Sequence, residues 1–434
     1  MQVHKSVVRG DNKMNSQNIK LSGWVNSIRA VGGIVFLEVI DGNSLNIYTV
    51  VAKKSKNLDI WQQASKVKIG SAITIKGTIP ETQVSKRGLE IHATELKILT
   101  EPVDLLPLDP VGTTPALLDT VIEHRYVALR IARQRAVFRI RAIVASAARE
   151  YLESNGFLEI HTPKICGAGA EGGTTLFQLD YFGRKAFLSQ SPQLYKQMLM
   201  CGVSRVYELA PYFRAEPHST IRHLNESWGI DVEMGFIDGV EEVMGVLEEL
   251  ISHIFARVKE IASHELSMLG VELSELKRPF KRLDYSEALE ILKSLGFKVE
   301  WGQDLGSVEE KTIGELMLKE GYNAYFIVNY PWDAKPFYIM RKGKLGIAFD
   351  LDYKGLELAS GGQREHRYNE LVENIRLKGL NPDDFSFYLK AFKYGMPPHG
   401  GFGLGLDRLV MVITQAQNIR EVVLFPRDRQ RLVP

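Results

Sequence analysis

Residues 207–236 read YELAPYFRAEPHSTIRHLNESWGIDVEMGF. Two strand-like apolar runs flank a polar turn. Arg214 and Glu216 stand just before that turn, His218, Arg222 and His223 lie within it, and Asp231 and Glu233 follow on the returning run. A surface hairpin rarely gathers so many charges between apolar strands. One reading is a structural ion-pair network; the other is a grip on a charged ligand, for which Arg supplies the bidentate fork that phosphate and carboxylate accept.

Two more segments carry the same signature. In FDLDYKGLELASGGQREHR (349–367) Asp350 and Asp352 would share one face of a strand, with Glu357 beyond the turn at Gly355. Paired carboxylates near an Arg-rich site suit Mg²⁺ carrying a nucleotide, because Mg²⁺ takes few protein carboxylates and completes its shell with phosphate oxygens and water. In GMPPHGGFGLGLDRLVMVI (395–413) a glycine-dense strand runs into a helix with Arg408 in its first turns. No GK[ST] follows, so this is not a P-loop, and the spacing is not a dinucleotide fingerprint.

Outward from these motifs, residues 20–98 read as five short alternating strands with a helix at about 57–68, after the third. That is the order of an OB-fold barrel, on which Trp24, Phe36 and Tyr48 could stack on bases. Four prolines in 101–118 mark an extended linker. Apolar spacing predicts helices at about 130–155 and 240–263, and residues 283–322 look like a small helical insertion. Strands outnumber βαβ units. The expected class is therefore α+β: an N-terminal barrel over 1–100, a proline-rich hinge over 101–129, and a domain over 130–434 built on a large antiparallel sheet flanked by helices.

Composition narrows the function. The 434 residues carry a net charge of +2, but residues 1–100 hold 14 Lys+Arg against 7 Asp+Glu while the remainder is slightly acidic. A basic module on an acidic body suits a polyanion bound at the front. Two cysteines, Cys166 and Cys201, make no disulfide framework, and no leader or membrane span is evident. A cytoplasmic protein with no membrane partner is expected.

Together the three segments resemble the signature motifs of class II aminoacyl-tRNA synthetases. GFLEIHTPKI, with Pro163, corresponds to the first motif, 207–236 to the second and 400–413 to the third. The barrel, AGAEGGTTLF (168–177), FLSQSPQLYKQML (187–199), LELASGGQREHRY (356–368) and the closing FPRDRQRL make the aspartyl/asparaginyl subgroup the nearest match, and within it aspartyl enzymes of the archaeal/eukaryotic type. The resemblance implies an aspartate–tRNA ligase that forms aspartyl-adenylate from L-aspartate and ATP and transfers it to tRNA(Asp), with tRNA(Asn) left open as a further acceptor. Its alternatives are an asparagine–tRNA ligase, or a paralogue that passes the adenylate to another acceptor. The first motif implies a homodimer.

Residue by residue, the resemblance assigns Arg214 and Arg408 to catalysis, with Arg214 on the α-phosphate and Arg408 at the γ-phosphate end. Glu216, Arg222, His223, Leu224, Glu357 and Gly405 would complete the ATP site. Asp350, Glu357 and Ser360 would hold Mg²⁺. Aspartate would meet Glu171, Gln193, Lys196, Arg214, Ser360 and Arg364. Lys196 and Arg364 separate the two amino acids: two cations facing a small pocket suit a carboxylate and oppose a neutral amide. The barrel departs from the family pattern. Ile40-Asp41-Gly42-Asn43 lacks the usual Arg, Asn26 stands where the family discriminates tRNAs, and Lys86 leans toward strict selection.

Overall fold

The computed structural model describes residues 18–44, 46–85, 88–167, 176–217 and 220–434. Glu171, His218 and Lys86 therefore lie outside the described residues. The chain divides into two compact units at Ala136/Val137.

In the first unit, strands β1 (Asn18–Val31), β2 (Ile34–Asp41), β3 (Ile47–Lys53), β4 (Ala72–Thr78) and β5 (Leu89–Thr100) close a barrel in the order β1-β2-β3-β5-β4. Helix α1 (Leu58–Lys66) lies between β3 and β4, as the sequence predicts. Its N-terminus is capped by Asn57, whose side chain accepts from Ile60 N. Ile60 and Ala64 pack into the barrel core beside Val35, Leu37, Val50 and Ile73. Alternation along the strands accounts for that core, since every second side chain points inward. Of the three candidate stacking aromatics, Phe36 lines an open groove with Arg29, Thr49 and Lys53, under the Arg29 guanidinium. Trp24 instead faces Arg130, and Tyr48 packs against the core. Asn26 is buried, donating to the Pro110 carbonyl at 3.0 Å.

The second unit is built on an eight-stranded sheet. Its strands are β6 (Leu158–Glu159), β7 (Arg205–Phe213), β8 (Glu226–Gly235), β9 (Lys281–Asp284), β10 (Ala324–Val328), β11 (Ala348–Tyr353), β12 (Leu356–Gln363) and β13 (His399–Gly405). The order is β9-β10-β11-β12-β13-β8-β7-β6. The five central pairings are antiparallel, as expected, but both edge pairings, β9–β10 and β6–β7, are parallel, so the sheet is mixed. The stretch read as an insertion explains one of these edges. Helices α5 (Tyr285–Ser294) and α6 (Ser307–Lys319) form the crossover that a parallel β9–β10 pair requires, and they pack a core of their own from Leu289, Leu292, Ile313 and Met317. They are a structural part of the sheet's edge.

Period-two alternation gives the sheet two unlike faces. Tyr207, Leu209, Ile230, Val232, Phe349, Leu351, Phe402 and Leu404 point into the main core, against helices α2 (Ala132–Ser154) and α4 (Val240–Ile261). Their neighbours Glu208, Tyr212, Asp231, Glu233, Asp350 and Asp352 point the other way. Burial of the first face fixes the register, because a slip of one residue would reverse the two sets.

Candidate active site

The polar face of the sheet carries a cavity of about 410 Å³. The motifs converge on it: Gln193, Arg214, Glu216, Arg222, His223, Leu224, Glu357, Ser360, Arg364, Gly405 and Arg408 all line it. Of the sequence-predicted set, Lys196 and Asp350 lie just behind its wall.

One end is rich in arginine. Arg214 follows the last residue of β7, its backbone N donating to Asn225 O at 2.9 Å, and its side chain remains about half exposed, 3.9 Å from Glu216. Arg408 lies in the first turn of helix α7 (Leu406–Thr414) and donates to the Glu357 carbonyl at 2.8 Å. Its other nitrogen reaches His223 Nε2 at 3.3 Å. A guanidinium can only donate, so that Nε2 is bare. Burial and the nearby Arg408 charge both hold the His223 pKa below its ordinary value, which agrees with a neutral ring. Arg222 faces Glu310 at 3.7 Å.

Strand β12 contributes Glu357 and Ser360 through an irregularity. Asp350 pairs with Ser360 and Leu351 with Ala359, but Asp352 pairs with Glu357. Leu358 is thus the extra residue of a β-bulge. Residues three apart would otherwise face opposite sides of a strand; the bulge brings both to the cavity. The type I′ turn Lys354-Gly355, with both φ positive, closes this hairpin. Helix α6 packs so closely on that turn that a Cβ on Gly314 would come within 2.3 Å of Gly355 N. This approach places Glu310 near Glu357. Burial and the Glu357 charge push the Glu310 carboxyl up to about 7 against the pull of Arg408 and Arg222.

The closed end holds four buried charges. Lys196, on helix α3 (Gln193–Leu199), sits 2.8 Å from Asp231 and 3.2 Å from Glu233. It also donates to the carbonyls of Val232 and Phe402. Arg364 lines the cavity and grips Glu233 at 3.0 and 3.3 Å. Burial pushes the Asp231 carboxyl up, Lys196 opposing. Burial also penalises Glu233, but Arg364 and Lys196 outweigh it and hold that carboxyl below its ordinary value. Tyr212 donates to Asp231. The glycine run has a structural reason here. Glu233 pairs with Gly401 across β8 and β13, and a Cβ on Gly401 would lie 2.3 Å from the Glu233 carboxylate. Gly403 and Gly405 meet the cavity directly.

Among the described residues no three His, Cys, Asp or Glu side chains cluster as a preformed metal site. Glu357 and Ser360 fit a divalent cation arriving with a polyphosphate, which needs few protein ligands. Asp350 fits less directly. Its Oδ2 is 2.7 Å from Lys335 Nζ, and only Oδ1, buried and without a hydrogen bond, is left over. Sequence reasoning missed Lys335 and Asp304, both on the cavity wall, and Glu310 beside it. A glycine-flanked acid in GQDLG and a first-turn Glu of a helix were the only signals, and both are common on surfaces.

A closed OB-fold barrel, followed in the chain by an antiparallel-centred sheet that offers an Arg-Glu hairpin, a carboxylate hairpin and a Gly-Arg strand–helix to one cavity, is the architecture of a class II aminoacyl-tRNA synthetase. Comparison with known proteins agrees. Residues 118–429 match the family model for class II tRNA synthetases (D, K and N), and residues 19–99 that for the OB-fold nucleic acid binding domain. The chain is 49% identical over 427 residues to the aspartate–tRNA(Asp) ligase of Pyrococcus horikoshii, covering 97% of each. It is 48% identical over 422 residues to the aspartate–tRNA(Asp/Asn) ligase of Methanopyrus kandleri, again covering 97% of each. Among solved structures it resembles asparaginyl-tRNA synthetase from P. horikoshii complexed with asparaginyl-adenylate, at TM-score 0.89 and 32% identity over 97% of each chain. The chain belongs to the class II aminoacyl-tRNA synthetase family of the Asp, Lys and Asn group, and its synthetase domain is a ligase. No described helix is long and apolar enough to cross a membrane.

Proposed function

We propose that the protein is a cytoplasmic, homodimeric aspartate–tRNA ligase. The observation that carries the choice of amino acid is the pair of cations at the closed end, Arg364 on the wall and Lys196 one layer behind it. Lys196 and Arg364 flank Asp231 and Glu233, and a side-chain carboxylate entering this end would meet the Arg364 guanidinium on the wall. Gln193 and Ser360, with Glu171 from the segment outside the described residues, would hold the rest of the amino acid.

In the first step the aspartate α-carboxylate attacks the α-phosphorus of ATP and pyrophosphate leaves. No protein nucleophile is required; orientation and charge stabilisation lower the barrier. Arg214 faces the α-phosphate, Glu216 the adenine amino group, and Arg222 and Arg408 the distal phosphates, with His223, Leu224 and Gly405 bordering the nucleotide. Bound Mg²⁺ would neutralise phosphate charge. Glu357 and Ser360 would hold it, and of Asp350 only Oδ1, the oxygen not paired with Lys335, would be left to assist. In the second step a 3′-terminal ribose hydroxyl of tRNA attacks the adenylate carbonyl and AMP departs. Residues 1–100 would read the anticodon through the Phe36 groove, 101–129 would act as hinge, and 130–434 would form the catalytic domain.

One observation favours asparagine instead: Lys196 is already paired with Asp231, so the resting charge at this end is balanced. Pyrophosphate exchange separates the readings. Exchange that depends on L-aspartate supports the first, and exchange driven by asparagine alone overturns it. Charging of purified tRNA(Asp) and tRNA(Asn) then fixes the acceptor, and failure to charge either indicates a paralogue with another acceptor.

A further inference from the structure

Behind the closed end a chain of hydrogen bonds leads to Gln193 through residues outside the ligand contacts described above. His399, at the start of β13, is wholly buried. Its Nδ1 lies 2.8 Å from the carbonyl of Pro397, an atom that can only accept, so Nδ1 carries the proton. Burial pushes its pKa down to about 4, Glu233 opposing and Arg364 and His366 assisting, so the ring is neutral near pH 7 and Nε2 is bare. Nε2 therefore accepts from the Gln197 side-chain nitrogen at 3.0 Å.

That contact sets the amide of Gln197. Its oxygen points away from His399 and accepts from Gln193 Nε2 at 2.9 Å and from Tyr388 OH at 3.2 Å. Flipping the Gln197 amide would face oxygen against the bare Nε2 and set two NH₂ groups against each other. Gln193 thus turns its nitrogen inward, while the residue lines the cavity. One N–H of that nitrogen is spent on Gln197, and the oxygen is the one acceptor Gln193 has left to offer a ligand.

We propose that His399 and Gln197 are positioning residues that lock the Gln193 amide with its oxygen toward the cavity, so that this corner selects a hydrogen-bond donor, the α-ammonium of the amino acid. The inference rests on the amino-acid site proposed above. It goes further in assigning the polarity of that site to a backbone carbonyl three hydrogen bonds away. A buried cluster retained for stability alone would show the same distances, so the test must read substrate recognition.

The experiment is pyrophosphate exchange with titrated aspartate and ATP. His399→Phe keeps a ring and removes the acceptor; Gln197→Met interrupts the relay at similar volume. Each is expected to raise the KM for aspartate by ~10-fold or more, the scale of one hydrogen bond to a charged group. The KM for ATP and kcat should each stay within about threefold, less than half a decade. His399→Gln, which can place an oxygen near the lost Nε2, should recover most of the loss. An unchanged aspartate KM, or a fall in kcat alone, overturns the relay. Wild-type protein without amino-acid-dependent exchange would overturn the proposed function instead. Should the variants not fold, ¹⁵N-histidine NMR of the wild type decides. A buried neutral ring protonated at Nδ1 supports the relay, and one protonated at Nε2 refutes it.

Discussion

Lys196 Nζ and Asp231 Oδ1 stand 2.8 Å apart beneath the cavity floor, and both side chains are almost wholly withdrawn from solvent. Glu233 completes a triad with them, and Arg364 binds it from the other side. Removing one member of such a set strands the others. Lys196→Met should lower the unfolding free energy by about 3–5 kcal/mol, the cost of an uncompensated buried charge. Adding Asp231→Asn should restore part of it. Urea unfolding of the single and double variants checks both, and a neutral Lys196→Met would contradict the burial of these charges.

Arg214 is the exposed cation of the set, so its loss should leave folding intact. Arg214→Ala is expected to reduce the exchange rate by about 10²–10³, or about 2.7–4 kcal/mol, the effect of one preorganised charge-stabilising donor. The melting temperature should not move. Single-turnover adenylate formation would read the chemical step directly.

Glu310 gives a pH prediction whose sign follows from its position. Its carboxyl is raised from the ordinary 4.5 to about 7. Between those values the folded protein holds a proton that the unfolded chain has released, so stability falls as pH rises from about 4.5 through about 7. Glu310→Gln should remove this slope and make the protein more stable at pH 8 by ~1–3 kcal/mol, part of the gain being offset by the lost Arg222 pair. Parallel denaturation at pH 5 and pH 8 tests it; equal slopes for variant and wild type would dismiss the raised carboxyl.

At Gly314 two effects oppose one another. Helix propensity alone favours Gly314→Ala by up to about 1 kcal/mol. The new methyl, however, would meet Gly355 N at 2.3 Å, backbone that cannot swing aside. Overpacking costs typically 1–3 kcal/mol, so the substitution should destabilise. It should also raise the KM for ATP, because α6 would shift with Glu310. Thermal melts and ATP titrations report the two consequences.

Much of this was legible in the sequence. The barrel's succession of strands and helix and the helices at Ala132–Ser154 and Val240–Ile261 follow from periodicity, while the gathering of Arg214, Glu357 and Arg408 on one cavity is what the family resemblance implies. What escaped has a common cause. The parallel edges, and the role of 283–322 as a crossover, depend on which strands pair, and local pattern does not encode pairing. Lys196 reads as a ligand-facing cation because its partner Asp231 lies 35 residues away on another element. Asp350 reads as a free carboxylate for the same reason, Lys335 being invisible from its own strand. Spacing along the chain shows which face a residue takes, but not what has already claimed its charge.

The extra residue at Leu358 has a consequence for how this hairpin can change over generations. Glu357 and Ser360 reach the same side only because one strand is a residue longer than its partner there. Letters between them can be exchanged for others of similar size, whereas losing or gaining a single codon would turn one of the two toward the core. Here the reading frame of the sheet, more than the identity of any one side chain, is what descent has to preserve.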